Sequence, residues 1–206
     1  MKFNYYALKL VGVCVVVFLM QIVFDRYGFT DFLILNGNSY TEIWRFVTSI
    51  FLHADITHII YNMIALALFG SILEKIIGGK KFLLVFFLSG IIANVIAVNF
   101  YSSSLGASGA IYGVLGTLLI IRPFMIVFAF GLPMPMIVAG LIWVGGDLVG
   151  LFIPSNVGHI AHISGMMVGI IMGFIYRNRF REEKRIVGGI ILDENKMRDW
   201  EDIYLR

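Results

Sequence analysis

The sequence predicts an all-α membrane protein of six transmembrane helices with both termini in the cytoplasm. Three observations predict it: a composition too apolar for a soluble domain, a series of nearly uncharged runs of membrane-spanning length, and basic residues gathered on one side of those runs. Of 206 residues, 59% are hydrophobic and 14% charged, with a mean hydropathy of +0.89. An ordinary soluble domain is about 45–50% apolar and about 25% charged. At about 20 residues per spanning helix, six helices use roughly 120 residues and leave the rest for loops and a tail. The formal charge of +3 comes from 16 Lys+Arg against 13 Asp+Glu. Those charges cluster between apolar runs, so nucleic acid is not the implied partner. The single cysteine, Cys14, excludes an intrachain disulfide.

The first span is Leu10 to Phe24. Asp25-Arg26-Tyr27-Gly28 follows it without a small-x-small cleavage pattern, so it reads as an uncleaved helix. The second runs from about Ile56 to Leu73 and the third from Phe82 to Phe100. The fourth, Ser108 to Ile121, is only about 21 Å long at 1.5 Å per residue, so one of its ends stops inside a hydrocarbon core about 30 Å thick. Arg122-Pro123 ends it. The apolar stretch Phe124 to Leu132 then leads to Pro133 and Pro135, which read as a break and a helix start. The fifth span covers about Met136 to Phe152 and the sixth about Val157 to Tyr176. Residues 1–176 thus form one membrane domain and 177–206 a charged cytoplasmic tail.

Charge placement orients the bundle, because short cytoplasmic loops collect Lys and Arg. Fourteen basic residues fall on the predicted inner side: Lys2, Lys9, Lys75, Lys80, Lys81, Arg122 and eight in the tail. The outer side receives two, Arg26 and Arg45. No internal repeat appears, which gives an inverted-repeat transporter little support.

Polar side chains inside a bilayer are costly and mark function by default. Here they collect at one depth. His53, His58, His159 and His162 all lie near the outer ends of the second and sixth spans, and Ser108 opens the shortened fourth. His58 and Asn62 are four apart and share a helix face. Gly109, Gly113 and Gly116 line one side of the fourth span, while Gly158, Gly165, Gly169 and Gly173 recur along the sixth. Small residues at such spacing let helix backbones approach closely in lipid. Facing stripes of this kind would bring Ser108 and His162 together, and a buried hydroxyl beside an imidazole is the constellation for nucleophilic acyl transfer.

At these residues the chain resembles the rhomboid intramembrane serine proteases. The matching segments are Trp44-Arg45, the stretch His53 to Asn62 with His58 inside it, Gly70 to Glu74, Gly106-Ala107-Ser108-Gly109 followed by Tyr112, and His162, Gly165 and Gly169 in the sixth span. The resemblance implies a rhomboid-like six-helix bundle that cleaves single-span membrane proteins near the outer face of the bilayer, with neither cofactor nor metal. It further implies Ser108 as nucleophile, His162 as base, an oxyanion site from the Ser108 backbone with His58 and Asn62, and Tyr112 packed on the catalytic imidazole. Arg45 and Glu74 read as architectural, holding the outer loop and an inner helix end. A prokaryotic plasma membrane is the simplest location.

His159 competes with His162 for the role of base. The spacing to Gly165 favours His162 and leaves His159 to line the cavity, while His53 reads as a structural hydrogen-bonder. Asp147, the only carboxylate within an apolar span, could orient a histidine, gate water or be protonated and inert, and reads first as structural; the resemblance requires no third acidic member, so it stays outside the catalytic set. An intramembrane metalloprotease lacks its H-E-x-x-H, since the chain offers only His159-Ile-Ala-His162. An aspartyl protease lacks its second aspartate, and a channel lacks a charged path to the inner side. A catalytically silent relative that binds transmembrane clients is the alternative; such relatives generally lose the serine or the histidine, and both are present here.

Overall fold

The computed structural model describes residues 4–155 and 157–188, with side chains through Arg177. Its helices are α1 (Tyr6–Phe24), α2 (Phe29–Leu33), α3 (Arg45–Thr48), α4 (Ile56–Ala65), α5 (Ser71–Ile77), α6 (Gly79–Ala97), α7 (Ser108–Ile121), α8 (Met136–Gly150) and α9 (His159–Gly188). A π-helical turn over Leu66–Gly70 joins α4 and α5 into one apolar rod. Among the described residues, four segments are long and apolar enough to cross a bilayer: Tyr6–Tyr27, Ile56–Ile77, Gly79–Ala97 and His159–Arg177. The helices Ser108–Ile121 and Met136–Gly150 are apolar but shorter. On α1, Val16 is 56% and Ile22 63% exposed, a surface suited to acyl chains rather than water.

Helix α7 is the core of the bundle. From Gly109 to Leu118 every residue but the half-buried Tyr112 is buried, with α6 and α9 packed against them and α8 alongside. The end of α1 opposite the loops is fastened by Glu74 of α5, whose two carboxylate oxygens accept the backbone N–H groups of Tyr6 at 3.1 Å and Ala7 at 3.0 Å. These are among the donors a helix start leaves unpaired, and the helix dipole favours an anion there. Glu74 is therefore the helix-end clamp that the sequence suggested.

The opposite end carries the long connections. Strands β1 (Leu35–Asn36) and β2 (Ser103–Ser104) pair antiparallel and tie the first such loop to the segment leading into α7. Arg45, 5% exposed, donates to the carbonyls of Asp31 at 2.6 Å and Ile34 at 2.8 Å and to the Glu42 carboxylate at 2.5 Å. The architectural reading of Arg45 holds as well.

Several features differ from the sequence reading: the first helix begins at Tyr6 rather than Leu10, and the third spans Gly79–Ala97 rather than Phe82 to Phe100. Between α7 and α8 the apolar stretch forms a hairpin, β3 (Ile126–Ala129) against β4 (Leu132–Pro135), turning on Phe130 and Gly131 at φ 56° and 79°. Two successive positive φ values match the twist that two-residue hairpins need. Pro135 does sit directly before the first residue of α8, whereas Pro133 pairs within β4 opposite Phe128. The fifth helix ends at Gly150 rather than Phe152. The backbone of α9 continues to Gly188, past Tyr176 where the tail was expected to begin; the rest of that tail, 189–206, lies outside the described residues.

Candidate active site

The connections at the loop-rich end position the site. Gly106 N–H donates to the Ser49 carbonyl at 2.9 Å, Asn94 of α6 donates to the Phe46 carbonyl and the Ser49 hydroxyl, and His53 N–H donates to Gln21 Oε1 of α1 at 2.9 Å. The segment 45–53 is thereby pinned between α1, α6 and the approach to α7. Asp55 then caps α4, its carboxylate accepting the His58 N–H at 2.8 Å.

Glycine decides how closely the two helices bearing Ser108 and His162 meet. A side chain at Gly165 of α9 would collide with the Gly109 carbonyl of α7, and one at Gly169 with the Gly113 carbonyl. The Thr117 hydroxyl bridges the same seam, within 2.9 Å of both the Gly113 and Gly169 carbonyls. Backbone therefore touches backbone one residue beyond Ser108 and three beyond His162.

Ser108 is the first residue of α7. The cap position belongs to Ala107, so the hydroxyl is not spent on capping. Among the described residues no hydrogen bond joins Ser108 to His162, whose Nδ1 meets Asp147 instead. The ring of Tyr112 lies flat on that of His162, centroids 4.3 Å apart and planes 13° apart. A Cβ at Gly106 would stand 2.9 Å from His58 Nε2 and 3.9 Å from the Ser108 hydroxyl oxygen, so the imidazole and the hydroxyl share one small space. Gly106 has φ 126°, a backbone state that also favours glycine. His58 Nδ1 accepts from the Ala54 N–H at 3.4 Å, which leaves Nε2 as the protonated, donating nitrogen. Asn62, 7% exposed, lies one turn further along α4.

On the far side of His162 is Asp147. A single oxygen, Oδ1, meets His162 Nδ1 at 3.0 Å and His159 Nδ1 at 2.7 Å. Asp147, His159 and His162 each place one ligand atom within 4.8 Å of the others, close enough for a divalent cation to bridge. Both Nδ1–Oδ1 contacts are at hydrogen-bonding distance, and the sequence expectation of no metal is not tested by them.

The Rhomboid domain family matches residues 40–179, more than half of the chain. The chain belongs to the rhomboid family. It is similar to the rhomboid protease GlpG of Haemophilus influenzae, at 29% identity over 176 residues covering 82% of this chain and 88% of the relative. A Bacillus subtilis protein whose name, YdcA, carries a provisional rhomboid protease assignment is 36% identical over 141 residues, 65% of this chain and 67% of the relative. GlpG of Yersinia pseudotuberculosis is 24% identical over 173 residues, 81% of this chain and 61% of the relative. The chain is an integral membrane protein of a family whose relatives here are named as rhomboid proteases.

Within this rhomboid bundle the sequence reading missed the partners of Asp147 and the part played by Gly150, where any side chain would strike the His159 ring. A lone carboxylate in an apolar run was the available signal, and its partners are on another helix.

His53 belongs to the shell around the site, 1% exposed with its ring edge-on to His58 at 5.1 Å. Burial pushes its imidazole from an ordinary 6.5 down to about 4, and the neighbouring His58 adds to the effect. The folded protein then holds His53 neutral while the unfolded chain protonates it below 6.5. Its contribution to stability is complete above pH 6.5 and is lost as pH falls toward 4, by roughly 3 kcal/mol in all. Thermal unfolding in detergent from pH 7 to 4 should show wild type losing about that much more stability than His53→Gln. Equal pH slopes for the two proteins would show that His53 is not held neutral.

Proposed function

We propose that the chain is an intramembrane serine endopeptidase that cuts single-span membrane proteins near the outer face of a prokaryotic plasma membrane, using Ser108 and His162. In this reading all six apolar helices form the transmembrane bundle, both termini are cytoplasmic, and the loop-rich end faces outward, in keeping with the inner bias of Lys and Arg. The observation that supports the reading is the glycine contact between α7 and α9, one residue beyond Ser108 and three beyond His162, with the His162 ring stacked on Tyr112 of α7.

The chemistry follows from the atoms. Ser108 Oγ attacks the scissile carbonyl as His162 Nε2 takes its proton. The resulting oxyanion is met by the Ser108 backbone N–H, unpaired at the start of α7, and by His58 Nε2–H, with Asn62 as a further donor. Each donor is worth about 10²–10³ in rate where it bears fully on the transition state. Collapse breaks the C–N bond and His162 returns its proton to the leaving amine. Water then attacks the acyl ester, giving one proton to His162 and so back to Ser108.

A fluorophosphonate probe should label wild type stoichiometrically and leave Ser108→Ala unlabelled, with cleavage of a single-span reporter in liposomes lost in parallel. Labelling that persists in Ser108→Ala, or reporter cleavage without Ser108, ends the proposal.

A further inference from the structure

The dyad leaves unused a carboxylate buried in α8. Asp147 is 5% exposed, and its Oδ1 stands between two imidazole nitrogens. An ionised carboxylate only accepts hydrogen bonds, so both Nδ1 atoms facing it carry hydrogen. That fixes the other nitrogens. His159 Nε2 is an acceptor and meets the Ser155 hydroxyl at 2.9 Å, while His162 Nε2 is left as a bare lone pair. The flat contact with Tyr112 holds the plane of the His162 ring. Gly150 leaves room for the His159 ring, which anchors the carboxylate from its far side.

Resting on the Ser108–His162 reading, we infer that Asp147 is a positioning residue of the site. It holds His162 in the tautomer whose Nε2 can take the serine proton, and it stabilises the imidazolium formed when that proton arrives. No atom of Asp147 touches the substrate and its own proton count does not change; the proton moves only between Ser108 Oγ, His162 Nε2 and the leaving group. His159 and Ser155 act one step further out, fixing Oδ1 so that it does not swing away from His162.

The test combines a variant with a spectroscopic reading of wild type. Asparagine in place of Asp147 can offer its NH2 group to Nδ1 and so favour the opposite tautomer. Asp147→Asn should lower kcat for the single-span reporter by roughly 10²-fold or more, approaching the ~10⁴ lost when a triad aspartate becomes asparagine, with KM little changed. In wild type with ¹⁵N-labelled histidine at pH 8, the His162 resonances, assigned by their loss in His162→Gln, should report hydrogen on Nδ1; in Asp147→Asn they should report it on Nε2. Cleavage by Asp147→Asn within threefold of wild type overturns the inference, as does a wild-type His162 protonated on Nε2. The second reading decides the matter even where the variant does not fold. A wild type that no fluorophosphonate labels at Ser108 removes the dyad and this inference together. A labelled wild type with an unaffected Asp147→Asn removes only the inference.

Discussion

Replacing His162 with alanine is expected to cut cleavage of a transmembrane reporter by roughly 10⁴–10⁶-fold, the scale on which a nucleophile and its base fail as a unit. The same change at His159 should cost about tenfold, the size of one hydrogen bond to a charged group. The difference rests on which nitrogens are free. Both ring nitrogens of His159 are engaged, Nδ1 by Asp147 and Nε2 by Ser155. His162 commits only Nδ1, and its ring is stacked on Tyr112 of the helix that opens with Ser108. A base needs an unoccupied lone pair within reach of the hydroxyl, and His162 meets that condition while His159 does not. Single-turnover cleavage in liposomes, with each variant checked for folding by thermal unfolding, separates the two. If His159→Ala is the inactive variant and His162→Ala the active one, the base has been assigned to the wrong imidazole.

What could be read ahead of the structure follows what each residue reveals in one dimension. The short α7 was legible because Arg122-Pro123 stops it and Ser108 marks its start. The α7–α9 contact was legible because glycine at three- and four-residue steps has one use in a lipid-embedded helix. The hairpin 126–135 was not. Ile126 and Phe128 are exposed while Val127 and Ala129 are buried, but every residue in the strand is apolar, so the alternation leaves no polar signal. The true end of α9 was also hidden, because hydropathy marks the edge of a bilayer rather than the end of a helix. Asp147 drew notice as a lone intramembrane carboxylate. Its two imidazole partners lie twelve and fifteen residues onward on a different helix, a pairing no spacing rule supplies. The tautomers of the two imidazoles needed distances, whereas the spacing to Gly165 alone favours His162 over His159.

The glycine seam carries the second large expectation. Gly165→Ala should destabilise the bundle by about 3 kcal/mol, the upper range for forcing a methyl into a packed core, and should remove most cleavage with it. The added methyl would occupy the position of the Gly109 carbonyl, with the Gly109 Cα only 3.2 Å away. Both are backbone atoms of a helix packed between α6, α8 and α9, so no rotamer change relieves the clash and α7 itself must shift. That shift moves Ser108, the residue next to Gly109, relative to His162. Gly146→Ala is the matched comparison, since nothing lies within 4 Å of its added methyl and alanine favours a helix over glycine by up to about 1 kcal/mol. It should leave the unfolding midpoint unchanged or raise it. Unfolding in detergent, measured beside reporter cleavage, distinguishes a true backbone seam from a stripe of incidental glycines. If Gly165→Ala unfolds with Gly146→Ala and cleaves like wild type, α7 and α9 are not in the contact that sets the helix of the serine against that of the histidine.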